Sequence, residues 1–127
     1  MCPNEEINTL GVHKYSVVWT KNAQFDLELI IEYIKPNGKA IAKNIFFEIK
    51  KECDSLYLMP TRKRIVPELQ HIGILKYREI IYKRWRIVFK IEESEVSVLL
   101  VIDSSRNLED LMFQRLLNSN NNKHEKT

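Results

Sequence analysis

Nowhere in this chain do about 18 apolar residues follow one another, so no segment is long enough to span a bilayer as a helix. Cysteine is nearly absent. Two thiols in 127 residues cannot build a disulfide framework, and a reducing compartment is the expected setting, with Cys53 on an apolar helical face and Cys2 in the leader. The three histidines, His13, His71 and His124, stand far apart with no Cys or carboxylate at ligand spacing. The expectation is therefore no metal and no cofactor. Residues 1–6 lack the charged-then-apolar layout of a secretory signal, and the expected location is the cytoplasm.

What is present suits one globular domain. With 44% hydrophobic and 29% charged residues, a chain of this length buries roughly two-thirds of its unfolded surface. Its charge is unevenly spread. Residues 60–90 hold nine Lys or Arg against two Glu, a net of +7, whereas the whole chain nets only +3 and the remainder −4. A cationic face built on regular structure is expected there, and such a face suits a polyanion: RNA, DNA or an acidic protein segment.

The hydrophobic periods place the elements. Residues 1–13 read as a flexible leader. Tyr15 to Trp19 is a β-branched and aromatic run suited to a strand. Thr20 offers a side-chain oxygen as helix N-cap, and Ala23, Leu27, Ile30, Ile31 and Ile34 then line one helical face until Pro36-Asn37-Gly38 stops it. A second helix from about Lys39 carries Ala42, Ile45, Phe46, Ile49, Cys53 and Leu56 on its stripe, with Pro60 beyond it. Leu75–Tyr82, Trp85–Ile91 and Val96–Ile102 read as an antiparallel meander, the last of them central in the sheet. A final helix is predicted from Asn107, with Asn107 and Asp110 as a cap pair and Leu108, Leu111, Met112 and Leu116 facing inward. The Asn-rich stretch at 118–127 reads as a disordered tail. The predicted fold is α+β, in the order β-α-α-β-β-β-α, an antiparallel sheet with its helices on one face, forming one domain over 14–117.

In that order the residues resemble a known family. Asp26-Leu27 on the first helix, Arg64-Ile65-Val66-Pro67-Glu68-Leu69, Tyr77-Arg78-Glu79 and Trp85-Arg86-Ile87-Val88-Phe89 are similar to the RelE/ParE superfamily of toxins from bacterial type II toxin–antitoxin systems, from Tyr15 to Leu117. The resemblance implies a growth-arresting protein neutralised by a small cognate antitoxin, of a kind associated with plasmid stabilisation. It leaves two targets open. ParE-like members inhibit DNA gyrase, whereas RelE-like members are metal-independent endoribonucleases that cut mRNA in the ribosome. A third reading is an inactive member kept as an antitoxin-binding module.

The chemistry of RNA cleavage needs cations for the charge developing on phosphate and a proton carrier at each end of the reaction. By resemblance, Arg78, Arg86 and Arg106 match basic positions of the RelE-like pattern. The position where that pattern commonly has Tyr or His falls at or near Met112, whose thioether cannot shuttle protons. The expected branch is therefore ParE-like, with Arg86 and Arg106 catalytic only in the RelE-like alternative. Arg62, Arg64, Arg78, Arg86 and Arg106 are the candidate target- or polyanion-binding residues. Each has a plainer reading: Arg62, Lys63 and Arg64 as a solvated loop, Arg78 in an ion pair with Glu68, Arg106 at a polar junction, His71 as a loop imidazole. Arg86 interrupts an apolar strand, and a cation there needs solvent in a groove or a carboxylate partner. Tyr77, Glu79 and Tyr82 are further proton-transfer candidates on paper. If Tyr82-Lys83-Arg84 is a three-residue turn, Arg78 and Arg86 share a sheet face opposite Tyr77 and Glu79; a two-residue turn reverses this. Trp19, Phe46 and Trp85 read as core. Phe25, Leu29 and Tyr33, on the first helix's second face, are the candidate antitoxin contacts.

Overall fold

The computed structural model describes residues 14–121, with side chains as far as Arg115. The leader with Cys2 and His13, the side chain of Leu116, and residues 122–127 with His124 lie outside the described residues.

Thr20 caps the first helix as its position suggested: its hydroxyl accepts the Ala23 N–H at 3.1 Å and donates to the Val98 carbonyl. Helix α1 (Lys21–Ile34) buries Ala23, Leu27 and Ile34. A short 3-10 turn, Lys35–Asn37, with Pro36 in it and Gly38 following at φ 143, reverses the chain. Helix α2 (Lys39–Asp54) returns with Ala42, Ile45, Ile49 and Cys53 buried. It ends at Asp54, and two 3-10 turns, Ser55–Tyr57 and Pro60–Arg62, carry the chain onward.

Five strands form one sheet. They are β1 (Ser16–Trp19), β2 (Arg64–Ile65), β3 (Tyr77–Tyr82), β4 (Trp85–Glu92) and β5 (Glu95–Asp103), in the order β1-β5-β4-β3-β2. The meander β3-β4-β5 is antiparallel as predicted, but β1 lies parallel to β5, with Ser16 opposite Glu95 and Trp19 opposite Val98. The sheet is therefore mixed rather than antiparallel. The helical pair carries the chain from β1 at one edge of the sheet to β2 at the other. Strand β5 is interior, though β4 holds the middle place.

Two short elements escaped the sequence reading. Strand β2 pairs Arg64 with Glu79 and Ile65 with Arg78, and helix α3 (Pro67–Gln70) follows it. A two-residue strand and a single turn are too short to show a period.

The sheet is covered on both sides, not one. Trp85, Ile87 and Phe89 join α1 and α2 in the larger core, while Val88, Leu100 and Ile102 pack with Val66 and Leu69 of the α3 region and with Leu108 and Met112 of α4 (Leu108–Asn121). Asn107 caps α4 by accepting the Asp110 N–H at 2.9 Å. The helix runs on to Asn121, into the stretch read as tail.

Both hairpin turns are made without glycine. Tyr82 pairs with Trp85 and Glu92 with Glu95, so Lys83-Arg84 and Glu93-Ser94 are two-residue turns, led by Lys83 at φ 53 and Glu93 at φ 55. A bulge then leaves Leu99 unopposed between Val98 and Leu100.

Candidate partner-binding groove and cationic positions

The two-residue turn decides which cations share a face. Glu79 lies opposite Val88 and Ile81 opposite Arg86, placing Arg86 with Tyr77 and Glu79 and putting Arg78 on the other face. The alternative with Arg78 and Arg86 side by side is therefore excluded.

Arg86 is buried, and its guanidinium is fully engaged. Nη1 and Nη2 grip Glu68 of α3 in a bidentate fork, both at 2.7 Å, while Nε donates to Glu79 at 2.8 Å. The other oxygen of Glu79 accepts from Arg64 Nε at 2.6 Å. The result is an alternating chain, Arg64–Glu79–Arg86–Glu68, neutral in sum, that ties β2 and α3 to the sheet. Hydrogen bonding from Arg86 holds the Glu68 carboxyl down to about 2. Among the described residues no buried side-chain polar atom lacks a partner.

This corrects the expectation of one cationic face. Arg86 presents no charge to a polyanion, and Arg64 shares the buried Glu79. Arg78 donates to the Lys63 carbonyl at 2.7 Å, not to Glu68. Arg84 is held by Asp103 at 2.6 Å. Arg62 is exposed and makes no ion pair among the described residues. The missed signal lay in the composition: Glu68 and Glu79 are the only carboxylates in residues 60–90, and both neutralise arginines there.

Of the proton-transfer candidates, Glu79 touches Arg86, and it does so as an ion-pair partner shared with Arg64. Met112 is buried among Val66, Leu69 and Leu100, and His71 is an exposed loop residue. Tyr77 is core, and Tyr82 stacks on Trp85 with ring centroids 6.4 Å apart. Arg106 lies with α1 residues along a groove, while Arg86 points to Glu68 and Glu79 beside α3. The two arginines do not converge on one phosphate. Cys53 is equally removed from chemistry, because burial pushes its thiol up to about 12.

The groove runs beside α1. It encloses about 550 Å³ between α1, the start of α2 and the ends of β4 and β5. Leu29, Ile30, Tyr33, Ile34, Ile41 and Trp85 supply apolar wall, and Arg84, Asp103 and Arg106 stand at its polar end. Leu29 and Tyr33 are 53% and 77% exposed, far more than a helix packed on its own sheet requires. Phe25, one turn earlier, is exposed but lies outside the groove, in a shallow depression with Lys21 and Glu28.

The bulge supports the floor of this groove. Beyond Trp19 the outer edge of β5 has no strand partner among the described residues, and side chains replace it. Asp26 of α1 accepts the Val101 N–H at 3.0 Å and the Arg115 guanidinium at 2.7 Å, while Arg115 also donates to the Leu99 carbonyl at 3.1 Å. Burial raises the Asp26 pKa against the opposing pull of Arg115. Asp26 thus joins α1, β5 and α4, a role its place on the first helix did not disclose. With Asp26 so bound and Asp103 held by Arg84 and the Ser105 N–H, the groove offers apolar contact and positive charge rather than a free base.

A mixed five-stranded sheet, a helical pair on one face and a terminal helix on the other define a RelE/ParE superfamily toxin fold. Residues 17–108 match the family model for the ParE toxin of the type II toxin–antitoxin system parDE, and the chain belongs to that family. Among solved structures it is similar to a chain of the chromosomal ParDE toxin–antitoxin system from P. aeruginosa. The TM-score is 0.60 at 19% identity, covering 72% of this chain and 97% of that one. A chain of the RelBE2 toxin–antitoxin complex from Mycobacterium tuberculosis is matched at TM-score 0.46 and 18% identity, covering 71% of this chain and 91% of that one. No curated protein sequence matches.

Proposed function

We propose that this ParE-family toxin arrests growth as a stoichiometric inhibitor of DNA gyrase in the cytoplasm, with no bond-making of its own, and that a cognate antitoxin silences it. The observation that carries the choice of branch is the sealed guanidinium of Arg86. A nuclease needs that cation facing phosphate, and here two carboxylates occupy it at 2.7–2.8 Å. The core position of Met112 supports the same reading, because it puts a thioether where the RelE-like pattern has a proton carrier.

The antitoxin segment is assigned to the groove through Leu29 and Tyr33, with Arg106 meeting acidic residues at its polar end. Among the candidate target contacts, Arg62 keeps an exposed charge. Arg64 and Arg86 are structural in this reading.

A supercoiling assay with purified gyrase and relaxed plasmid tests the proposal. Supercoiling should fall in proportion to added toxin and recover on adding antitoxin. Undiminished supercoiling, together with new mRNA 5′ ends inside translated frames after induction, would replace this reading with ribosome-dependent cleavage. Neither effect, with no growth arrest, would leave an antitoxin-binding module.

A further inference from the structure

Helix α2 hides one face against the sheet, and its opposite face carries a pattern that the toxin reading does not use. Lys39, Lys43, Phe47 and Lys51 follow one another at four-residue intervals, and all four are exposed. They form a slowly winding stripe about 18 Å long, with neighbours one turn apart. None of the three lysines makes an ion pair among the described residues. The helix's own acids, Glu48, Glu52 and Asp54, form no ion pair with them among the described residues.

Helix stability does not account for this arrangement. Lys39 is the first residue of α2, where the positive end of the helix dipole disfavours a cation; the first turn has no acid, and Gly38 provides no side-chain cap. Lys39 and Lys43 also repel each other across one turn. An anion lying along the stripe would relieve both effects. Phe47 is the second unusual feature, an aromatic ring 55% exposed in the middle of a charged row. Lys43 Nζ stands over one face of the ring, 6.0 Å from its centroid, and the Phe46 ring meets it in a T-shaped contact at 5.6 Å.

We propose that this face of α2 is a binding surface for single-stranded nucleic acid, sequence-independent, in which the lysines follow successive phosphates and Phe47 stacks on an unpaired base. Lysine acts on phosphate as a point charge on a flexible stem, without the planar fork that reads a carboxylate in register. A regularly spaced row of such charges interrupted by one ring matches a polymer that alternates phosphate and base. An acidic peptide has no use for the ring's face. The surface goes beyond gyrase inhibition and does not depend on it.

Fluorescence anisotropy of the full chain with a fluorescein-labelled 15-nucleotide oligo-dT, and with a duplex of the same length, tests the proposal. The logarithm of affinity for the single strand should fall against the logarithm of salt with a slope of about −2, as expected for three phosphate contacts. Lys39→Gln, Lys43→Gln and Lys51→Gln together should remove most of that slope. Phe47→Ala should weaken single-strand binding by about five- to a hundredfold and leave duplex binding unchanged. A control removes equal charge from the hairpin side, with Arg62→Gln, Lys63→Gln and Lys76→Gln. Equal loss in the control, no loss in the α2 triple variant, or a Phe47→Ala effect that is absent or the same for duplex would each overturn the proposal. So would full displacement by polyglutamate at matched charge, which would assign the stripe to an acidic polypeptide.

Discussion

Arg86 is a cation inside an otherwise apolar strand, and its surroundings determine what a substitution there can report. Removing it leaves Glu79 buried with only the half-exposed Arg64 as partner, and breaking a buried pair in this way costs about 3–5 kcal/mol. Arg86→Ala should therefore lower the urea midpoint severely, and any loss of growth arrest in that variant reports unfolding before it reports chemistry. Glu68 gives a pH signature. Its folded carboxyl sits near 2 against an ordinary value of 4.5, so the stability it lends is complete above about pH 4.5 and is lost as pH falls through about 2. Acid titration of unfolding free energy should show a falling limb in that window, and Glu68→Gln should flatten part of it. Asp26 works in the opposite sense, because burial raises its pKa against the pull of Arg115, the Val101 N–H and the nearby charge of Arg106. These roles were partly legible. Arg86 visibly needed a carboxylate or a groove, but Glu68 stands 18 positions away, and only chain reversal brings it into reach.

At the scale of elements, long amphipathic periods were readable and short or parity-dependent features were not. The stripes of α1 and α2 and the caps at Thr20 and Asn107 lie where local spacing places them, because a helix surface repeats within the chain itself. The β3–β4 turn is different. One residue more or less in that turn exchanges every side chain between the two faces, and sequence composition alone left both lengths open. Placing Lys83 and Glu93 in the left-handed region carries a steric cost for a side-chain-bearing residue, which asparagine tolerates better. Glu93→Asn should raise the free energy of unfolding by about 0.5–1 kcal/mol, as measured by denaturant midpoint at constant m-value. No gain, or a loss, would mean that the turn is not limited by that conformation.

Taken whole, the molecule spreads its positive charge over several surfaces. The basic count of residues 60–90 is real, yet four of those cations, Arg64, Arg84, Arg86 and Lys90, are answered by carboxylates, and two-sided burial of the sheet separates others. The groove beside α1 combines exposed aliphatic and aromatic wall with Arg106, which makes no ion pair among the described residues, as an amphipathic partner segment requires. Leu29→Asp with Tyr33→Asp should weaken antitoxin affinity by about tenfold or more in isothermal titration while leaving the melting temperature nearly unchanged, since both residues are already exposed. Phe25→Asp, outside the groove, should have a smaller effect. Equal affinities in the wild type and the double variant would move the antitoxin to another surface.

From sequence alone came the α+β class, the helical hairpin, the meander, the core stripes and the superfamily resemblance, because each rests on periods or motifs contained in contiguous residues. Tertiary structure alone decided that β1 runs parallel to β5, that helices cover both faces of the sheet, that Arg86 is locked by Glu68 and Glu79, and that Leu29, Tyr33 and Arg106 share one groove. Those outcomes depend on strand register and on pairs up to 89 residues apart, as between Asp26 and Arg115. Local patterns carry no record of them, because the contact forms only when burial of the two cores brings distant segments together.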